Sequence, residues 1–147
     1  MRRTLNSIER LTVLNLKKLG ALLCLCGATW APTVWAGPHD AAVTALMSKA
    51  LSDMPGKEML AITVTYPPGG FDPVHRHDAH AFVYVLEGAI VMQVKGSKEV
   101  TLKPGQSFYE GPEDVHTVGR NASKTKPAKF LVLLLKNKDA PVLLPAQ

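Results

Sequence analysis

Glycine and proline leave little room for helix over most of this chain. Beyond Glu58, the longest stretch free of both is 14 residues, 74–87. Glycine does not restrain φ and proline lacks the donor that a helix interior needs, so each marks a turn in a pattern of short segments. Between these breaks the residues either alternate apolar with polar or run wholly apolar, which is strand patterning. Strands are predicted over 58–66, 82–86, 90–95, 98–102, 107–110, 115–118 and 130–135, with a last short one at 142–144. Short strands about ten residues apart, joined by Gly/Pro turns, predict an all-β antiparallel sandwich or barrel.

Two segments precede this region. Residues 1–36 carry Arg2, Arg3, Arg10, Lys17 and Lys18, then an uncharged run over 19–30, then Val34-Trp35-Ala36 before Gly37. A basic start, a short apolar core and small residues three and one before a cut predict a secretory signal cleaved after Ala36. The apolar run falls short of the ~20 residues that cross a bilayer, so no stable membrane anchor is expected after cleavage. Leu23 before Cys24 and Leu25 before Cys26 do not suit lipoprotein processing, and Arg2-Arg3 stands too far from the apolar run for a strong twin-arginine signal. The working protein is expected in the periplasm or outside the cell. Residues 37–57 form a second segment, in which Val43, Leu46, Met47 and Ala50 have helical spacing. With Pro38 at a first turn and Pro55-Gly56 as a stop, a short N-terminal helix is predicted over 39–53. Residues 58–147 form the barrel domain.

Cleavage changes the meaning of the charge. The whole chain carries a formal +5, but +4 of this lies in residues 1–36, together with both cysteines and both tryptophans. The remaining chain is near neutral, and its lysines at 124, 126 and 129 have no interleaved aromatics. A nucleic-acid partner is therefore not expected. Without cysteine, the mature chain has neither disulfide nor thiolate chemistry.

All five histidines stay. His75 and His77 stand two apart, so on a strand both imidazoles face one way and form half of a metal site. His116 lies on another predicted strand, which can face the pair across an antiparallel barrel. Neutral imidazole suits Zn, Cu, Fe and Ni, and three ligands with open positions describe a catalytic rather than a structural site.

Around these histidines the chain resembles the cupin superfamily. Gly69, His75-Arg76-His77 and Gly88 match the spacing of the first cupin motif, and the stretch from Phe82 to Gly88 is similar to its hairpin. Gly105 and His116 match the second motif, from which Pro112 and Asn121 are each displaced by one residue and Glu113 replaces a glycine. The resemblance covers about residues 58–137. It implies a single cupin barrel, a double-stranded β-helix or jelly roll, holding one divalent metal. Fe(II) is favoured, with Mn, Ni, Cu or Zn as alternatives. The family's glutamate ligand should fall at position 81 or 82, where this chain has Ala81 and Phe82. Three outcomes stay open: metal held by His75, His77 and His116 alone; His80 as a further ligand; or a metal-free binding protein. On a continuing strand His80 faces away from His77. Glu110, six residues before His116, is a further candidate ligand whose parity is hidden by Gly111-Pro112. The implied activity is O₂-dependent oxidation of a small anionic substrate, the alternative being a non-catalytic periplasmic module that binds or senses a small ligand. A homodimer is in keeping with the family.

Overall fold

A computed structural model describes residues 39–146, so the expected signal segment lies outside the described residues. Ten strands are formed: β1 (Ala42–Ala50), β2 (Lys57–Tyr66), β3 (His75–Arg76), β4 (Ala79–Glu87), β5 (Ile90–Val94), β6 (Val100–Leu102), β7 (Ser107–Glu110), β8 (Val115–Asn121), β9 (Ala128–Asn137) and β10 (Leu144–Pro145). They make two five-stranded antiparallel sheets, ordered β1-β2-β9-β4-β7 and β10-β3-β8-β5-β6. This is the all-β antiparallel arrangement expected from the turn pattern, and the jelly roll that the resemblance implies.

Alternation explains the core. Along β9 the residues Ala128, Phe130, Val132, Leu134 and Lys136 are buried and those between them are half-buried. Ala79, Ala81, Val83 and Val85 are buried on β4 with exposed residues between them. These inward sets meet Ile62, Val64 and Tyr66 of β2 and Ile90, Met92 and Leu102 of the second sheet. Leu134 is fully buried in this cluster, and truncating such a side chain to alanine costs about 2–5 kcal/mol. Tight turns hold the strands in register. Gly88 has φ +70°, and a Cβ there would stand 2.6 Å from the Pro127 carbonyl oxygen, so this turn accepts only glycine.

Residues 39–53 are not a helix. Residues 42–50 form strand β1 on the edge of the first sheet, paired with β2 from Ala42↔Thr65 to Ala50↔Glu58. The register shifts between Ala45 and Met47, leaving Leu46 as an extra residue. A bulge of this kind breaks the two-residue alternation. Val43, Ala45, Ser48 and Ala50 therefore share a face, whereas Leu46 and Met47 of the apparent helical stripe are exposed on this edge strand. No helix occurs among the described residues.

Candidate metal centre

Three strands and one loop bring the site together. His75 on β3 lies directly opposite His116 on β8 in an antiparallel pair. The two imidazoles are therefore neighbours in one sheet rather than partners across the barrel. His77 follows just beyond the end of β3. The opposite sheet supplies Glu110, the last residue of β7, in register with Ala81 of β4.

The atoms that converge form a closed ring. His75 Nε2 is 3.2 Å from His77 Nε2 and 3.4 Å from His116 Nδ1. Glu110 Oε2 completes it, 3.7 Å from His77 Nε2 and 3.5 Å from His116 Nδ1. Ligand atoms bound about 2.1 Å from one first-row ion stand about 3.0–3.4 Å apart along the edges of an octahedron or tetrahedron, close to these values. His75, His77 and Glu110 satisfy the geometry of a metal-holding group, with ligand atoms within 4.8 Å of one another.

Hydrogen bonding fixes which nitrogen of each ring faces inward. His75 Nδ1 lies 2.7 Å from the Pro73 carbonyl oxygen, and His77 Nδ1 lies 2.5 Å from that of Val142. His116 uses the other nitrogen, with Nε2 2.7 Å from the Val118 carbonyl oxygen. A carbonyl only accepts, so each of these nitrogens carries the proton. Each neutral ring then turns a bare lone pair into the ring of atoms. Glu110 Oε2 points there too, buried and without a hydrogen-bond partner. With Glu110 ionised, four acceptors face one another and repel unless a cation lies among them, and carbonyl-oriented imidazoles are the usual support of metal ligands. The residues present fit a divalent ion.

Electrostatics agree. Burial holds the His77 imidazole below its ordinary value, and burial reinforced by His75 pulls that of His116 down to about 4. Both are neutral at physiological pH, as ligation requires. Burial, with the charges of Asp114 and Asp72, pushes Glu110 up to about 7. A buried carboxylate this reluctant to ionise gains strongly from an adjacent cation. Gly119 leaves room at the site's edge, since a Cβ there would stand 2.8 Å from His116 Cε1 and 2.9 Å from Tyr66 Oη.

The site opens into a cavity of about 90 Å³ within the barrel, walled by Ile62, Val64, Val83, Met92 and Phe130 among others. Asp72 also borders it. The Tyr66 hydroxyl donates to Asp72 Oδ2, and Asp72 N donates to the Gly119 carbonyl over 2.8 Å.

The other sequence candidates fall elsewhere. His80 is exposed on the outer face of β4, with Nδ1 2.6 Å from the Tyr109 hydroxyl. Tyr84 and Tyr109 are likewise exposed. The family's glutamate is absent at Ala81 and Phe82, and Glu110 stands across the strand pair from Ala81. Asn121, the displaced residue of the second motif, is a buried clamp. Its Nδ2 donates to the Pro67 and Lys126 carbonyls at 2.9 and 2.8 Å, and its Oδ1 accepts from Ser123 N. The Tyr66–Asp72 pair gave no sequence signal beyond an aspartate beside a proline.

Residues 62–134 match the cupin-domain family pattern. No protein of curated function matches the chain in sequence. Solved structures do match. A protein with a double-stranded β-helix domain from Klebsiella pneumoniae shares 15% identity over 77% of this chain and 91% of its own, with a TM-score of 0.59. The DMSP lyase DddQ from Ruegeria pomeroyi shares 23% over 71% of this chain, with a TM-score of 0.58, and the match spans only 51% of that protein. An oxalate oxidase in complex with the substrate analogue glycolate shares 24% over 74% of this chain and 56% of its own, at a TM-score of 0.56. The chain thus spans about half the length of the two named enzymes. The cupin-domain pattern over residues 62–134 identifies the chain as a member of the cupin superfamily, and the solved structures share its fold.

Proposed function

We propose that this protein is an exported cupin that holds one divalent first-row metal through His75, His77, His116 and Glu110 and acts on a small molecule within the barrel. The observation that carries the reading is Glu110 Oε2, buried without a partner at the corner of a ring whose other three corners are bare imidazole nitrogens. Three neutral imidazoles and one carboxylate carry a charge of −1, which suits a divalent cation and leaves a single positive charge for an oxygen-bearing ligand.

The ion would supply Lewis acidity and, if Fe(II), one-electron chemistry with O₂. The chain's own residues do the rest. Carbonyls of Pro73, Val142 and Val118 lock the ring orientations, and the apolar wall excludes bulk water from the ligand's body. We favour O₂-dependent oxidation of a small carboxylate or hydroxy acid. A similarly shaped barrel in an oxalate oxidase, solved with the substrate analogue glycolate, supports that substrate class. Fold alone does not transfer an activity, so the reaction is tested directly.

Protein recovered from the exported fraction without chelator should begin at Gly37 and contain about one metal ion per chain. It should consume O₂ with at least one of a panel of small hydroxy acids, diketones and phenolic acids. Fewer than about 0.1 ions per chain overturns the metal reading. Full metal occupancy and ligand binding without turnover reassigns the protein as a small-ligand binder. An unprocessed N-terminus overturns the export reading.

A further inference from the structure

Outside the ring of ligand atoms, the cavity wall is apolar except for one side chain, the carboxylate of Asp72. That carboxylate is held in place from two directions. Tyr66, fully buried on β2, donates to its Oδ2, and its own backbone is tied to Gly119. Gly119 is also the residue whose missing Cβ makes room for the Tyr66 hydroxyl beside His116. Asp72 borders a second hollow as well, which opens to the outside between Phe71 and Arg120. It therefore stands in the barrel wall, with the metal-holding cluster inside and solvent beyond.

A carboxylate accepts hydrogen bonds and offers none, so its ligand partner must donate. Tyr66 donates to Oδ2, and the carboxylate so held lines the cavity. Charge balance narrows the choice. A divalent ion with Glu110 leaves +1, and Asp72 brings the chamber to zero. A dianion would carry net negative charge into an apolar enclosure, which is costly. A molecule with an anionic oxygen at one end and a cation at the other leaves the balance intact, and one with a neutral hydroxyl donor adds a single negative charge where a dianion adds two. Size narrows it further. About 90 Å³ holds only a handful of waters, equivalent to a ligand of about five to eight non-hydrogen atoms.

We infer that Asp72, pinned by Tyr66, anchors the far end of the ligand, and that the chamber selects small amphoteric molecules: an anionic oxygen for the metal, a short apolar spacer, and an ammonium or hydroxyl donor for Asp72. The inference rests on the metal reading above and names the substrate class of the same site. It separates this chamber from one shaped for dianions. Burial raises the Asp72 carboxyl above its ordinary value, which is in keeping with a group that gains from a charged donor.

The test uses Co(II)-loaded protein, followed through the visible absorption of the ion, with β-alanine, 3-hydroxypropionate, propionate and malonate as probes. β-Alanine and 3-hydroxypropionate should bind at least about tenfold more tightly than propionate, as one charge-assisted hydrogen bond provides. Malonate should show no such gain. Asp72→Asn should bring the β-alanine preference below about threefold and leave Co(II) affinity within about threefold of wild type. Tyr66→Phe, which keeps the ring that fills the core, should cut the preference part-way with Co(II) stoichiometry unchanged. If Asp72→Asn does not fold, Tyr66→Phe decides the matter alone. Equal binding of all probes to wild type overturns the anchor. A preference that survives in the variants also overturns it, because the amine is then chelating the ion. A wild-type chain that takes up no Co(II) fails the metal reading itself and takes this inference with it.

Discussion

Strands β4 and β7 carry two polar clusters one residue apart that face opposite ways. On the inner side, Glu110 stands in register with Ala81 and reaches the imidazoles of His77 and His116. On the outer side, His80 hydrogen-bonds Tyr109 and stacks beside it at 6.1 Å between ring centroids. Glu110 is 2% exposed and Tyr109 is 55% exposed. The chemistry follows from that difference. A polar atom without a partner is intolerable inside the barrel and harmless outside, so the inner cluster calls for an ion and the outer one only for water. The strand's two-residue period, more than residue type, separates a ligand from a bystander.

The comparison breaks most readily at the inner histidines. His75→Ala or His77→Ala should weaken metal binding more than about a hundredfold, since even outer-shell partners of a metal cost 10–100-fold. Metal titration followed by elemental analysis reads the effect. Retention of metal in either variant would mean that the ring is an ordinary buried polar cluster.

Glu110→Gln sharpens the contrast by changing a charge without changing shape. Metal affinity should fall about 10–100-fold, while the metal-free protein should become more stable at pH 8 by about 1–3 kcal/mol, the cost of a buried, unpaired carboxylate. The sign follows from linkage. Glu110 in the folded state titrates at about 7, above its ordinary 4.5, so the metal-free fold holds the proton and loses stability as pH rises from 4.5 to 7. His116 works in the opposite sense. Its value of about 4, below 6.5, means that its contribution is fully present above pH 6.5 and is lost as pH falls towards 4. Melting temperatures of metal-free protein from pH 4 to 8 should show the high-pH decline vanish in Glu110→Gln. A decline that persists would assign it to another group.

A cross-strand exchange tests whether register alone carries the ligand. Cβ atoms directly opposite in an antiparallel pair lie about 4.5–5.5 Å apart, so a glutamate can reach one point from either strand. Ala81→Glu alone places a second carboxylate at a fully buried position and should destabilise the metal-free protein by about 2 kcal/mol or more. Ala81→Glu combined with Glu110→Ala should recover metal affinity to within about tenfold of wild type, well above Glu110→Ala alone. No recovery would show that the β7 side of the pair has a role beyond supplying a carboxylate.

This exchange also marks where the sequence stops being readable. The barrel was legible because Gly88, Gly96 and Gly105 all take positive φ at turns between strands, which a composition of breakers announces. The imidazole pair was legible because spacing along a strand reports facing. Glu110 stayed ambiguous because its link to Ala81 exists only across two strands, and register is not written along either one. Strand β1 was not legible because Val43, Leu46, Met47 and Ala50 have helical spacing although all four are exposed on an edge strand, so their spacing reports no buried face. Asp72 escaped notice because a loop aspartate gains meaning only from the distant Tyr66 and Gly119 that hold it.

The smallest expected effects lie on the outer side, and they are the strictest check on the comparison. His80 was a candidate fourth ligand by proximity in sequence, three residues from His77. Parity turns it outward, and its Nδ1 is engaged by Tyr109. An exposed neutral hydrogen bond of this kind contributes about 0.5–1 kcal/mol. His80→Ala and Tyr109→Phe should each shift stability by no more than that and leave metal affinity within about twofold. Their double variant should cost less than the two singles added together, because the shared hydrogen bond can be lost only once. A tenfold loss of metal in His80→Ala would mean that β4 twists enough to send both faces inward, and the division drawn between them would no longer hold.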